Sequence, residues 1–269
     1  ITFLIIFFCS SIKANSINVI RDAEIENLLN DISKILVRGT QLENDVLTFY
    51  LDNQKFINAL VTPDKKFFFT TELLLKSKNV EDVAGVISHE IGHIIGIGTL
   101  WDNAGLIDPD NAANYTGEKA LAEYRNLMDD QSLQFVPLED SGGPGTAGGH
   151  WDEEIFNLEF MTGYSDGGRD IYSSLTIAST EDLGYEVNYS PAQPYQMEDR
   201  GKAIARDRHE NQQTSIIASN SRGQFVEHNY DNGAGYQLIF RGNTGIDLSP
   251  NSSPIKLDGI LTKLENDNL

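Results

Sequence analysis

Apolar residues recur at helical spacing in DAEIENLLNDISKILVR, residues 22–38, where Ile25, Leu28, Leu29, Ile32, Ile35 and Leu36 would share one face. Asp22 can cap the start of this helix and Gly39 can end it. Three short runs follow: VLTFYL at 46–51, FINALV at 56–61 and KFFFTT at 66–71. They are rich in β-branched and aromatic residues and predict strands, with the turn-forming TPDKK between the last two. A second helix is predicted from Asn79 to Ile95, with Val83, Ile87, Ile91 and Ile94 as its buried stripe. Asn79 caps it, and Glu81 and Asp82 suit the positive end of its dipole. Gly96 and Gly98 then stop the helix and permit a sharp change of direction.

Beyond Gly98 the periodicity fades into a long, mostly irregular region. It holds a predicted helix at 117–128 (GEKALAEYRNLM) and a second at 173–183 (SSLTIASTEDL), which Gly184 ends. SGGPGTAGGHWDEE at 141–154 is too rich in glycine for either regular structure and predicts a loop. From Pro191 the chain becomes rich in Asn, Gly and Ser, with strand-like pieces TSIIAS, QFVEHNY and YQLIFR. The predicted organisation is a leader (1–14), an upper subdomain (15–98), a lower subdomain (99–192) and a β-like appendage (193–269).

Composition narrows the partners. The 269 residues are 40% hydrophobic, enough for a real core. With 20 basic and 40 acidic residues the net charge is −20, which argues against nucleic acid or an anionic membrane as main partner. The acidic excess concentrates in residues 96–195, where carboxylates could hold calcium, but EF-hand spacing is absent. ITFLIIFFCSSIKANS reads as a secretory leader, because its apolar run Ile1–Phe8 is too short to span a bilayer and Ala14 is a fitting cleavage point. Cys9 is the one cysteine, so a processed chain has neither a disulfide nor a thiol to mask a metal. This predicts a secreted or periplasmic protein of bacterial type, with no stable membrane insertion once the leader is removed.

The candidate chemistry lies in HEIGHIIGIGTLW, His89 to Trp101. Two histidines four apart on a helix project from the same face, so His89 and His93 can share one zinc ion at about 2.0–2.1 Å each. Glu90 can take a proton from a water on that ion. A catalytic zinc site needs a third protein ligand. Thr99 stands where a compact motif would place a histidine, and it is not a usual ligand. Of His150, His209 and His228, His150 is the best candidate, since its glycine-rich surroundings let the loop approach the metal. His209 and His228 lie in polar sequence and are expected at the surface.

HEIGHIIGIGTLW, GGPGTAGGHW, MTGY and LTIASTEDLGY together resemble the leishmanolysin-like metzincins over residues 89–195. That resemblance implies His89, His93 and His150 as zinc ligands, an insertion before the third histidine, and Met161 as the Met-turn methionine forming an apolar floor under the imidazoles. It also suggests Tyr164 as a stabiliser of the tetrahedral oxyanion, although its spacing from Met161 departs from the family's. The helix at 173–183 would pack behind the Met-turn and help wall the pocket for the residue after the cut bond. Upstream, INALVTPDKKFFFTTELLLKSKNVEDVAGVISHEIGH is similar to gluzincin peptidases of the HtpX-like and periplasmic TPR-bearing kind, through Asn58, Ala59, Leu73, Leu74 and HEIGH. Those use a glutamate as third ligand, and Glu123 is the nearest equivalent. Two origins fit such a chain: a recombinant crossing at the shared motif, or a divergent metzincin front.

The expected fold is α+β of the zincin type: a small mixed sheet and active-site helix above a cleft, with an irregular lower subdomain. The expected function is zinc-dependent endopeptidase on a protein or peptide substrate, which would pair with an exposed sheet edge. The alternatives are a gluzincin-type peptidase with a carboxylate ligand, and a non-catalytic secreted binding protein on a recombinant zincin scaffold.

Overall fold

Alternation along the first strands decides how they stack. The computed structural model describes residues 17–143, 145–166, 170–198, 200–209 and 236–242. The leader with Cys9, and TSIIAS and QFVEHNY with His228, lie outside the described residues. Strands β1 (Val19–Ile20), β2 (Thr48–Asp52), β3 (Asn58–Val61) and β4 (Lys66–Thr70) surround the predicted turn. β2 and β4 run parallel, with Phe49 opposite Phe67 and Leu51 opposite Phe69, and all four are buried. The Phe49 and Phe67 rings stack at 4.7 Å, while Tyr50 and Phe68 stack at 5.1 Å on the opposite face. Helices α1 (Ala23–Leu36) and α3 (Val80–Ile94) pack on this sheet through Ile25, Leu29, Ile32, Val83 and Ile87. Burying each such side chain stabilises by about 1.5–3 kcal/mol.

Both predicted caps are made. Asp22 accepts from the N–H groups of Glu24 and Ile25, and Asn79 accepts from that of Asp82. α1 ends at Leu36 rather than at Gly39, and Ile35 is 55% exposed instead of sharing the buried face. Strand β4 stops at Thr70 because the Thr70 hydroxyl accepts the Leu73 N–H and starts a short helix, α2 (Thr71–Lys76), which strand propensity had obscured.

The lower region is less irregular than its sequence. It contains a three-stranded sheet of β5 (Ile107–Asp108), β6 (Asn111–Tyr115) and β7 (Val136–Pro137). Helix α4 (Glu118–Met128) has its first turn capped by Asp182, which accepts from the Lys119 and Ala120 N–H groups. That cap comes from α6 (Ser174–Asp182), far along the chain. Between them lie α5 (Glu153–Phe156) and β8 (Tyr164–Asp166). A second core forms around Trp101, Tyr115 and Trp151, whose rings meet at 4.7–5.3 Å. It extends to Met197 and to Ala205 of α7, residues 200–209.

YQLIFR forms β9 (Tyr236–Gly242) as its pattern predicts. It enters the six-stranded sheet in the order β1-β2-β4-β3-β9-β8, antiparallel to β3 and parallel to β8. The edge of β3 is therefore paired with the chain itself. The architecture is α+β with two small sheets. Among the described residues no helix is long and apolar enough to cross a membrane.

His209 corrects the expectation of a surface residue. It is buried, 4.0 Å between ring centroids from Phe135 and 6.1 Å from Tyr124. Polar neighbours in sequence misled here, because α7 turns this ring into the second core. Burial lowers its pKa to about 4, below the unfolded value near 6.5. The unfolded chain therefore binds more protons between those values, and stability is lost as pH falls from about 6.5 to about 4. His209→Phe should shrink the fall in melting temperature between pH 8 and pH 5, measured without metal. An equal fall in both proteins would contradict this assignment.

Candidate metal centre

α3 places His89 and His93 one turn apart, with ring centroids separated by 4.8 Å. The backbone then reverses: Ile97 N–H donates to the Gly92 carbonyl, and Gly96 and Gly98 take φ of +113° and +74°. Thr99, barren as a ligand, donates its hydroxyl to the His93 carbonyl at 2.7 Å and so satisfies the helix end. Gly98 also admits the glycine-rich loop. A Cβ at that position would stand 2.1 Å from the Gly149 carbonyl oxygen. This close approach delivers His150 to α3.

The three imidazoles converge. Their Nε2 atoms lie 3.1–3.2 Å from one another, and all three residues are buried. Each Nδ1 faces a backbone carbonyl at 2.9 Å: Phe160 for His89, Ile97 for His93 and Thr146 for His150. A carbonyl can only accept, so each Nδ1 carries the proton and each Nε2 presents a lone pair. The short Nε2 separations are thus three lone pairs facing one another, not mutual hydrogen bonds. Burial lowers the pKa of His89 to about 3 and of His150 to about 4, and holds His93 well below its ordinary value. The rings are neutral at pH 7, the form that binds metal.

This donor set fits zinc. Tetrahedral bonds of about 2.0–2.1 Å imply roughly 3.3 Å between ligand nitrogens. Second partners on the far ring nitrogens are what metal-binding histidines require. Glu90 gives a further sign: it is fully buried, and both carboxylate oxygens lack a hydrogen-bond partner among the described residues. Burial raises its carboxyl well above the usual range. Among the described residues, His89, His93 and His150 form the one group of three or more metal-ligating side chains close enough to share an ion. Glu123 is not in it; its carboxylate accepts from the Ser174 hydroxyl at 2.7 Å.

Met161 is fully buried against α3, its sulfur 3.0 Å from where a Cβ at Gly92 would stand. Gly92, just before His93 in HEIGH, leaves that room between the two histidines. Tyr164 is buried at the start of β8, with its hydroxyl 2.5 Å from the Cβ position of Gly142. α6 packs behind the turn at 159–162 through Leu175, Ala178 and Thr176. A cleft of about 360 Å³ runs along Ser88, Ile91 and Ile95, on another face of α3, towards Phe160 and Tyr172. Phe160, Thr146 and Ile97 act through carbonyls, which every residue carries, so no side-chain pattern announces them.

Two family models match the chain. Residues 68–199 match Leishmanolysin and residues 21–98 match Peptidase family M48, so both resemblances hold. The first begins inside β4 rather than at His89, and the two overlap through α3. A leishmanolysin homolog of Crithidia fasciculata is 34% identical over 117 residues, covering 40% of this chain and 18% of that protein. A leishmanolysin-like peptidase of Drosophila melanogaster is 40% identical over 77 residues, covering 28% and 11%. Leishmanolysin of Leishmania major is 29% identical over 123 residues, covering 41% and 20%. The matched stretches thus span a fifth or less of these relatives' own lengths. Both matched families are zinc metallopeptidases, and the histidine cluster is able to bind that metal.

Gly98→Ala adds a Cβ against the Gly149 carbonyl and strains a positive φ. It should cost about 1–3 kcal/mol of stability and weaken zinc binding by displacing His150. Unchanged zinc affinity in a chelator competition would show that the close approach does not set the third histidine.

Proposed function

We propose that the chain is an exported zinc-dependent endopeptidase. His89, His93 and His150 hold the ion and Glu90 acts as the base. The reading rests chiefly on the convergence of three neutral Nε2 atoms and on a buried carboxylate without a partner among the described residues. When bound, zinc supplies a Lewis acid that polarises the scissile carbonyl and lowers the pKa of a water to about 7. Glu90 takes the proton of the attacking water and passes it to the leaving amine. Its raised pKa favours keeping that proton until the amine needs it, while a nearby cation favours the ionised form at the start.

Met161 forms the apolar floor of the site, a role supported by its burial against Gly92. Tyr164 steadies the tetrahedral oxyanion in this proposal, supported by its position just after the turn that carries Met161. Export is supported by the apolar run Ile1–Phe8. The substrate is an extended protein segment that adds to the sheet at β3 through main-chain hydrogen bonds. Because β9 holds that edge antiparallel, substrate must compete with residues 236–242 for it.

Glu90→Ala should abolish cleavage of an unfolded protein while retaining one zinc per chain, as read by metal analysis beside a protease assay. Full cleavage by this variant would sink the mechanism and leave the binding-protein alternative or another base. A chain ending at residue 235 should show higher kcat/KM on a peptide than the full chain. An unchanged value would mean that substrate does not use the β3 edge.

A further inference from the structure

Glu159 is a fully buried carboxylate that the reaction does not use. Burial raises its pKa to about 6. Its Oε2 accepts the Met161 N–H at 2.7 Å. Its Oε1 accepts the hydroxyls of Ser173 and Thr176, each at 2.6 Å. Three residues thus donate to one acceptor-only group, and each leads towards the histidines or ties them to α6.

Fixing Met161 N–H fixes the peptide between Phe160 and Met161. The Phe160 carbonyl on that peptide accepts His89 Nδ1–H. The Met161 carbonyl accepts the Trp151 N–H at 3.0 Å, next to His150. Thr176 closes the circuit. Since its hydroxyl hydrogen goes to Glu159, its lone pair is left to accept the Trp151 indole N–H at 2.9 Å. Trp151 is therefore held at both backbone and ring by groups that Glu159 orients.

We propose that Glu159 is a positioning residue for the metal centre: one buried carboxylate aligns the Phe160 carbonyl behind His89 and, through Thr176 and Met161, the Trp151 segment that carries His150. This rests on the zinc-site reading above. The carboxylate matters because it only accepts. A glutamine would turn its N–H₂ towards either the Met161 N–H or the two hydroxyls. The first sets donor against donor. The second makes Thr176 accept from glutamine and indole together and leaves its own proton unplaced.

The test compares Glu159→Gln with Asp182→Asn. Asp182 is also a carboxylate with three donors, the Tyr115 hydroxyl and the Lys119 and Ala120 N–H groups, but it serves the start of α4. Glu159→Gln should weaken zinc by about 10–100-fold in a chelator competition and shift the visible bands of the cobalt-substituted protein. Asp182→Asn should lower the melting temperature and leave zinc affinity and the cobalt spectrum unchanged. An unaltered spectrum and affinity in Glu159→Gln would overturn the proposal, as would equal weakening of zinc by both variants. If Glu159→Gln fails to fold, Thr176→Val should still shift the cobalt bands, and unshifted bands there overturn the proposal too. Zinc held by the wild type with no change in the variants rejects the positioning role alone, whereas a wild type that takes up no zinc rejects it together with the site reading.

Discussion

Three imidazole lone pairs brought together in a buried place are the constraint on which the rest of this structure turns. Each is fixed by a backbone carbonyl behind it, so the rings can neither rotate away nor exchange protons with one another. Such a cluster is unfavourable unless a cation fills it, and burial removes the option of protonation near neutral pH. The same enclosure leaves the Glu90 carboxylate without a hydrogen-bond partner among the described residues. The fold thus holds four polar groups in a state that metal and water would relieve.

Each carbonyl belongs to a different part of the chain: the turn after α3, the glycine-rich loop and the segment ending in Met161. The site is therefore where the chain's two cores meet. One core lies between α1, α3 and the first strands, the other around Trp101 and Trp151. Gly92 and Gly98 are the points of contact, where a missing Cβ admits Met161 and the Gly149 carbonyl. The two family matches overlap on this same helix. A seam in sequence coincides with a joint in structure, and at the joint two glycines admit the Met161 side chain and the Gly149 carbonyl.

Legibility varied with how local the cause was. Caps at Asp22 and Asn79, the helix stop after Ile94 and the strand YQLIFR follow from neighbours a few residues away. Helix α2 was hidden because Thr70 ends a strand and starts a helix with one hydroxyl. The small sheet of β5, β6 and β7 was hidden because two of its strands are two residues long and carry no periodicity. His209 looked solvated from its polar neighbours, yet a helix packed across the lower core buried it. The pairing of β3 with β9 joins residues far apart in sequence, and no short-range pattern encodes a partner at that distance.

By itself the sequence determined the chemistry on offer: two histidines and a glutamate on one turn of a capped helix, and a third histidine in a loop free of bulk. Helical periodicity and side-chain chemistry are local properties, so they survive without a fold. Only the tertiary structure decided that His150 rather than Glu123 joins the pair, and that Glu159 stands buried behind them. It also decided that the β3 edge is covered. Those outcomes depend on which distant backbone groups come within hydrogen-bond reach, and every residue carries the same carbonyl and N–H until packing selects among them.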